Sequence, residues 1–176
     1  QSAQALAAQQ YQHAQHMTDR LTALRGLVYS NAAQAVDCLA DFYQRFQQEA
    51  LVVDSWFAVQ ATNPKATIND IDALCQHPAF SLTNPNRLRS VLAQFANANP
   101  VQFHQADGSG YRFVAEKIAE LDKINPQIAS RLLGAFSRWK RLESGRQQQA
   151  SAALQQLSTQ QLSNDTYETL NRLLTS

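Results

Sequence analysis

Four histidines, two cysteines, one glycine-rich loop and a cluster of arginines are the residues whose chemistry is worth testing first. His13 and His16 stand at i, i+3, a spacing that can place two imidazoles on one helix face and so, in principle, on one metal. No third ligand accompanies them, no histidine opens an H-E-x-x-H, and the ordinary reading is a pair of solvated helix histidines. Cys38 and Cys75 each fall on an apolar helical stripe. Two buried, reduced thiols are expected, which fits a cytosolic compartment, and a disulfide between them stays open at this point. Asp107-Gly108-Ser109-Gly110-Tyr111 precedes a helix, so its backbone N–H groups could cradle an anion. It lacks the lysine and the preceding strand of a phosphate loop, and a tight turn needing two small residues is the reading we prefer. No G-x-S-x-G or Walker pattern occurs.

Arginine outnumbers lysine 11 to 4. Arg131, Arg138, Lys140, Arg141 and Arg146 concentrate on and after one expected helix. Gln127, Arg131, Gly134 and Arg138 form a polar stripe opposite Ile128, Leu132 and Phe136. Such a stripe is either a solvated face or the wall of a cavity, since arginine pairs bidentately with carboxylates and glutamine can bind a peptide amide. Gly134 would leave room for a close approach. The net charge is only +1, so no nucleic-acid partner is expected.

The elements that must position these residues are helices. Leu21, Leu24 and Val28 repeat at helical spacing, as do Val36, Leu39, Tyr43 and Phe46, then Ile68, Ile71 and Cys75 behind a Thr67 N-cap. Leu88, Val91, Leu92 and Phe95 make a full stripe. Val114, Ile118 and Leu121 follow, then Ile128, Leu132, Phe136 and Trp139, then Leu154 and Leu157, and finally Leu170, Leu173 and Leu174. Leu51 to Val59 is apolar enough for a buried strand, but its neighbours favour a buried helix. Four of the five prolines follow asparagine, at 63–64, 84–85, 99–100 and 125–126. Asparagine caps a helix and proline fits its first position, so these read as helix starts, most securely at Asn84, Asn99 and Asn125. His77-Pro78 ends the helix before it. The expected fold is all-α: one helical domain over residues 1–176, a right-handed superhelix or irregular solenoid of antiparallel helix pairs of the armadillo or HEAT kind. A compact orthogonal bundle is the alternative.

The 176 residues are 44% apolar and 16% charged, against an ordinary charged share of about a quarter. Glutamine and alanine fill the difference. This excludes collagen, a disulfide scaffold and a highly charged disordered tail. No apolar run approaches the roughly 18 residues of a membrane span, and no membrane partner is expected. The sequence begins at Gln1 without a signal-type block, as an excised piece of a longer chain would.

Several blocks carry a family resemblance. His16-Met17-Thr18-Asp19-Arg20-Leu21-Thr22-Ala23-Leu24, Asp54-Ser55-Trp56-Phe57 with Gln60-Ala61-Thr62, and Asn84-Pro85-Asn86-Arg87-Leu88-Arg89-Ser90 come first. Phe103-His104 and Asp107 to Tyr111 follow, then Asn125-Pro126-Gln127-Ile128-Ala129-Ser130-Arg131-Leu132 and Trp139-Lys140-Arg141. In this order they resemble the C-terminal helical domain of the bacterial aminopeptidase N family, the zinc-dependent alanyl aminopeptidases. The resemblance implies a cytoplasmic parent enzyme in which zinc-activated water, with a glutamate as base, removes N-terminal residues from peptides. It also implies that the zinc ligands, the catalytic glutamate and the Gly-Ala-Met-Glu-Asn motif lie in a catalytic domain of the same polypeptide. None of them is present here, so this chain alone is expected to hold no zinc or other cofactor and to catalyse nothing. Its implied role is to close over the active site and to gate and bind peptide substrates, with Arg89, Gln127 and Arg131 at the positions that face the substrate channel. A free-standing helical-repeat adaptor that binds a protein partner is the competing reading.

Overall fold

The computed structural model describes residues 2–175; Gln1 and Ser176, the outer bounds of the expected domain, lie outside them. Every regular element among the described residues is helical. Five helices open the chain: α1 Ala3–His13, α2 Met17–Ser30, α3 Ala35–Phe46, α4 Ala50–Ala61 and α5 Ile68–Cys75. Ser2 caps the first through its side chain. Thr67 caps the fifth in a reciprocal box: its hydroxyl accepts from the Asp70 N–H and the Asp70 carboxylate accepts from the Thr67 N–H at 2.7 Å. Next, α6 Pro85–Leu88, a π-helical turn Arg89–Ala93 and α7 Gln94–Ala98 run on as one continuous helix. After α8 Pro100–Phe103 come α9 Ser109–Asp122 and α10 Pro126–Leu132, then 3₁₀ turns Leu133–Phe136 and Trp139–Arg141, then α11 Ser144–Ser158 and α12 Asn164–Thr175.

Short turns reverse the chain between successive helices, and packing is between near neighbours: α1 on α2, α2 on α3, α3 on α4, α4 on the 85–98 helix, α9 on α10 and α11, and α12 on α10 and α11. That is the pattern of an irregular helical solenoid, in which each pair buries the face of the next. Leu24, Phe42, Phe57, Leu92, Phe95, Phe103, Ile118 and Leu154 belong to one apolar core. α4 is the buried helix expected over 51–59, with Val52, Val53, Trp56, Phe57 and Val59 all buried.

Asn84, Asn99 and Asn125 each accept backbone N–H bonds at a helix start with proline at the first position. Asn63-Pro64 differs: it forms a turn in which the Asn63 side chain accepts from the Lys65 N–H at 3.0 Å, and α5 begins only at Ile68 behind Thr67. In α3, Leu39, Tyr43 and Phe46 pack against the core as their spacing implies, and Val36 departs from the stripe. Val36 is 73% exposed, and the buried positions are Ala35 and Phe42. Cys38 and Cys75 are free thiols, half-buried rather than fully buried.

Candidate functional site

Asn125 starts α10 by accepting the Ile128 N–H at 3.2 Å. Ala129 and Leu132 then turn into the core, and the Ser130 hydroxyl meets that of Thr169 on α12 at 2.7 Å. What remains outward is Gln127 and Arg131, one turn apart and both exposed, with no side-chain partner among the described residues. Their stripe does not continue as its sequence spacing implied. At Leu133 the helix tightens to 3₁₀, with three residues per turn, so the angular register changes. Gly134 and Arg138 instead line a groove of about 590 Å³ with Asn97, His104, Tyr111, Trp139 and Arg141; Gln127 and Arg131 are not among its lining residues. A Cβ at Gly134 would meet nothing within 4 Å, so that wall is open.

Arg89 lies elsewhere, as the first residue of the π turn, exposed, beside a smaller groove of about 280 Å³ lined also by Asp54, Ser55, Asn86 and Gln94. Its guanidinium donates to the Asn86 side chain at 3.3 Å. A π turn adds a residue to the helical repeat and commonly marks a functional position; nothing in the sequence pattern announced it. Arg87, two residues earlier, has the opposite fate. It is buried, pairs with Asp54 at 2.6 Å, donates to the Ala79 carbonyl and lies over the Phe57 ring at 5.4 Å. Of these two arginines, one staples α4 to α6 and the other is presented to solvent.

The glycine loop is a tight turn. Gly108 adopts φ +73°, the left-handed region. A Cβ at Gly110 would collide with the Phe103 carbonyl oxygen and sit 2.7 Å from that of Gln102, so only glycine lets α9 pass this close to α8. The Asp107 carboxylate accepts the Ser109 N–H at 2.9 Å. This close passage brings together a pair that sequence reading left apart: the His104 Nδ1 lies 2.7 Å from the Tyr111 hydroxyl. Burial, with the Arg146 charge adding to it, holds His104 below the usual imidazole range, and burial pushes the Tyr111 hydroxyl up.

His13 ends α1 and His16 immediately precedes α2, so the two stand on either side of a turn and not on one helix face. Among the described residues no three His, Cys, Asp or Glu side chains converge as a metal site would require, so this donor set does not fit a zinc ion.

The architecture is that of a helical-repeat domain, and a family model described as a domain of unknown function (DUF3458_C) with ARM repeats matches residues 1–175. Aminopeptidase N of Escherichia coli (strain K12) is 40% identical over 174 residues, covering 98% of this chain and 20% of that protein. Aminopeptidase N of Haemophilus influenzae is 41% identical over 166 residues, 93% of this chain and 19% of that protein. The crystal structure of Legionella pneumophila aminopeptidase A in complex with aspartic acid aligns with a TM-score of 0.91 at 31% identity, over 97% of this chain and 20% of that one. The chain belongs to this ARM-repeat family, the C-terminal helical domain of the bacterial aminopeptidases N. It spans about a fifth of the length of the relatives it matches.

Proposed function

We propose that residues 1–176 are one non-catalytic helical domain of a cytoplasmic zinc aminopeptidase, which closes over the active site and gates and binds peptide substrates. The catalytic domain is its partner within the same polypeptide and holds the zinc, for which this chain supplies no donor set. The observation that carries the reading is the 40% identity over 98% of the chain to an aminopeptidase several times its length. The exposed Gln127–Arg131 face supports the substrate role, because two polar side chains without partners at i, i+4 can hold a peptide carbonyl or a terminal carboxylate. Arg89, exposed at the π turn, is the third residue of the channel.

Kinetics of the full-length enzyme containing this chain test the assignment. A charged hydrogen bond in a dry site is worth about 1–3 kcal/mol, so Arg131→Ala should raise KM for a tripeptide roughly 5- to 100-fold. An alanyl anilide does not reach this region, and its turnover should stay unchanged. An unmoved tripeptide KM, or an equal loss on both substrates, removes Arg131 from the channel. A reading frame encoding no catalytic domain upstream would instead make the chain a free-standing adaptor.

A further inference from the structure

The 590 Å³ groove lies in the size range of small-molecule sites. Its lining combines the half-exposed Trp139 ring, set over the buried Phe103, Tyr111 and Phe136, with Asn97, His104, Arg138 and Arg141, and includes no acidic residue. Arg138 and Arg141 have no ion pair or side-chain hydrogen bond among the described residues. The acid closest in sequence, Glu143, is already taken by the Gly145 and Arg146 N–H groups and by the Arg146 guanidinium at 3.1 Å. The histidine adds a further donor. The Tyr111 hydroxyl is buried with the His104 Nδ1 as its one side-chain partner, so it must donate there to be satisfied. A neutral ring that accepts at Nδ1 carries its proton on Nε2, which has no partner among the described residues. The charged groups of the groove are all donors, and Trp139 supplies its exposed ring.

We propose that this groove binds a small carboxylate with an aromatic or apolar body. Arg138 and Arg141 hold the carboxylate, and the body lies against the Trp139 ring. A carboxylate fits better than phosphate because it needs donors along one edge only, whereas phosphate would turn unsatisfied oxygens towards the rings. The site is separate from Arg89, Gln127 and Arg131, and it does not depend on the aminopeptidase reading.

The experiment is a TROSY NMR titration of the ²H,¹⁵N-labelled full-length protein that contains this chain, with three probes: 3-phenylpropanoate, 3-phenylpropan-1-ol and inorganic phosphate. The carboxylate should shift the Gly134 and Ser137 amides and the Trp139 indole N–H, with half-saturation near 1 mM, and the alcohol and phosphate should each bind at least ~10-fold more weakly. Both arginines are exposed, so the double variant Arg138→Gln/Arg141→Gln should keep its thermal midpoint while weakening the carboxylate by ~10-fold or more, to the level of the alcohol. The proposal is overturned if the alcohol matches the carboxylate, if phosphate matches or exceeds it, if the double variant binds unchanged, or if no shift occurs up to about 20 mM.

Discussion

Asp122 ends α9 at 5% exposure and accepts three hydrogen bonds across to the last helix: the Ser163 N–H and hydroxyl, each at 2.6 Å, and the Thr166 hydroxyl at 2.5 Å. Burial pushes its carboxyl up, but the bonds from Ser163 and Thr166 outweigh that and leave it below the usual range. A depressed folded-state value stabilises the fold above the unfolded value near ~3.9, and the contribution is lost as pH falls through the folded value. Asp122→Ala should therefore cost about 1–3 kcal/mol at neutral pH, because it strands buried donors, and should flatten the acid dependence below about pH 4. Urea midpoints at pH 7 and pH 3 measure both effects. An unchanged midpoint at pH 7 would show that water replaces the carboxylate without loss. Arg87 is a second buried charge of this kind, and neither residue was legible as structural in the sequence. Their partners lie 33 and 41 or more residues away, and residue type alone predicts exposure for both.

At the scale of elements, one dipeptide does three different things. Asn125 only caps α10. Asn99 caps α8 and is also 1% exposed, with its amide donating to the Ala61 carbonyl at 3.0 Å and the Asn63 carbonyl at 2.8 Å. Asn63 is the turn that Asn99 ties down. Asn125→Ala should cost about 1 kcal/mol, the ordinary value of a lost cap, and Asn99→Ala about 2–4 kcal/mol, because two carbonyls lose their donor as well. Thermal or urea unfolding of the two variants side by side gives the comparison, and equal losses would mean that the Asn99 amide contributes nothing. The same scale explains why the Gln127 to Arg138 stripe misled. A 3.6-residue period was extended across a helix that becomes 3₁₀ at Leu133, and the switch leaves no mark in residue type.

For the whole molecule, the solenoid of paired helices closes its core with side chains alone. Among the described residues no helix is long and apolar enough to cross a membrane. No metal is expected to support the fold, since no three donor side chains converge among those residues. A bound zinc at 100 times its dissociation constant would add about 2.7 kcal/mol, or roughly 5–10 °C at this size. The expected result is a melting midpoint that moves by less than ~1 °C on adding either EDTA or micromolar zinc. A fall of several degrees with chelator would reveal a structural ion.

Helix content and its punctuation were determined by the sequence itself, because both arise from interactions within a few residues. The apolar spacing of Leu88, Val91, Leu92 and Phe95 fixes a buried face, and Thr67, Asn84, Asn99 and Asn125 satisfy backbone donors two or three positions on. Tertiary structure alone decided which polar groups are buried and which stripes are used. Val36 looks inward by spacing yet is exposed, and Arg87 looks outward by type yet is buried on Asp54. It also decided that His104 meets Tyr111 above an arginine-lined groove. Those outcomes depend on which neighbouring helix arrives at each face, and that is set by the summed packing of the solenoid rather than by any local run of residues.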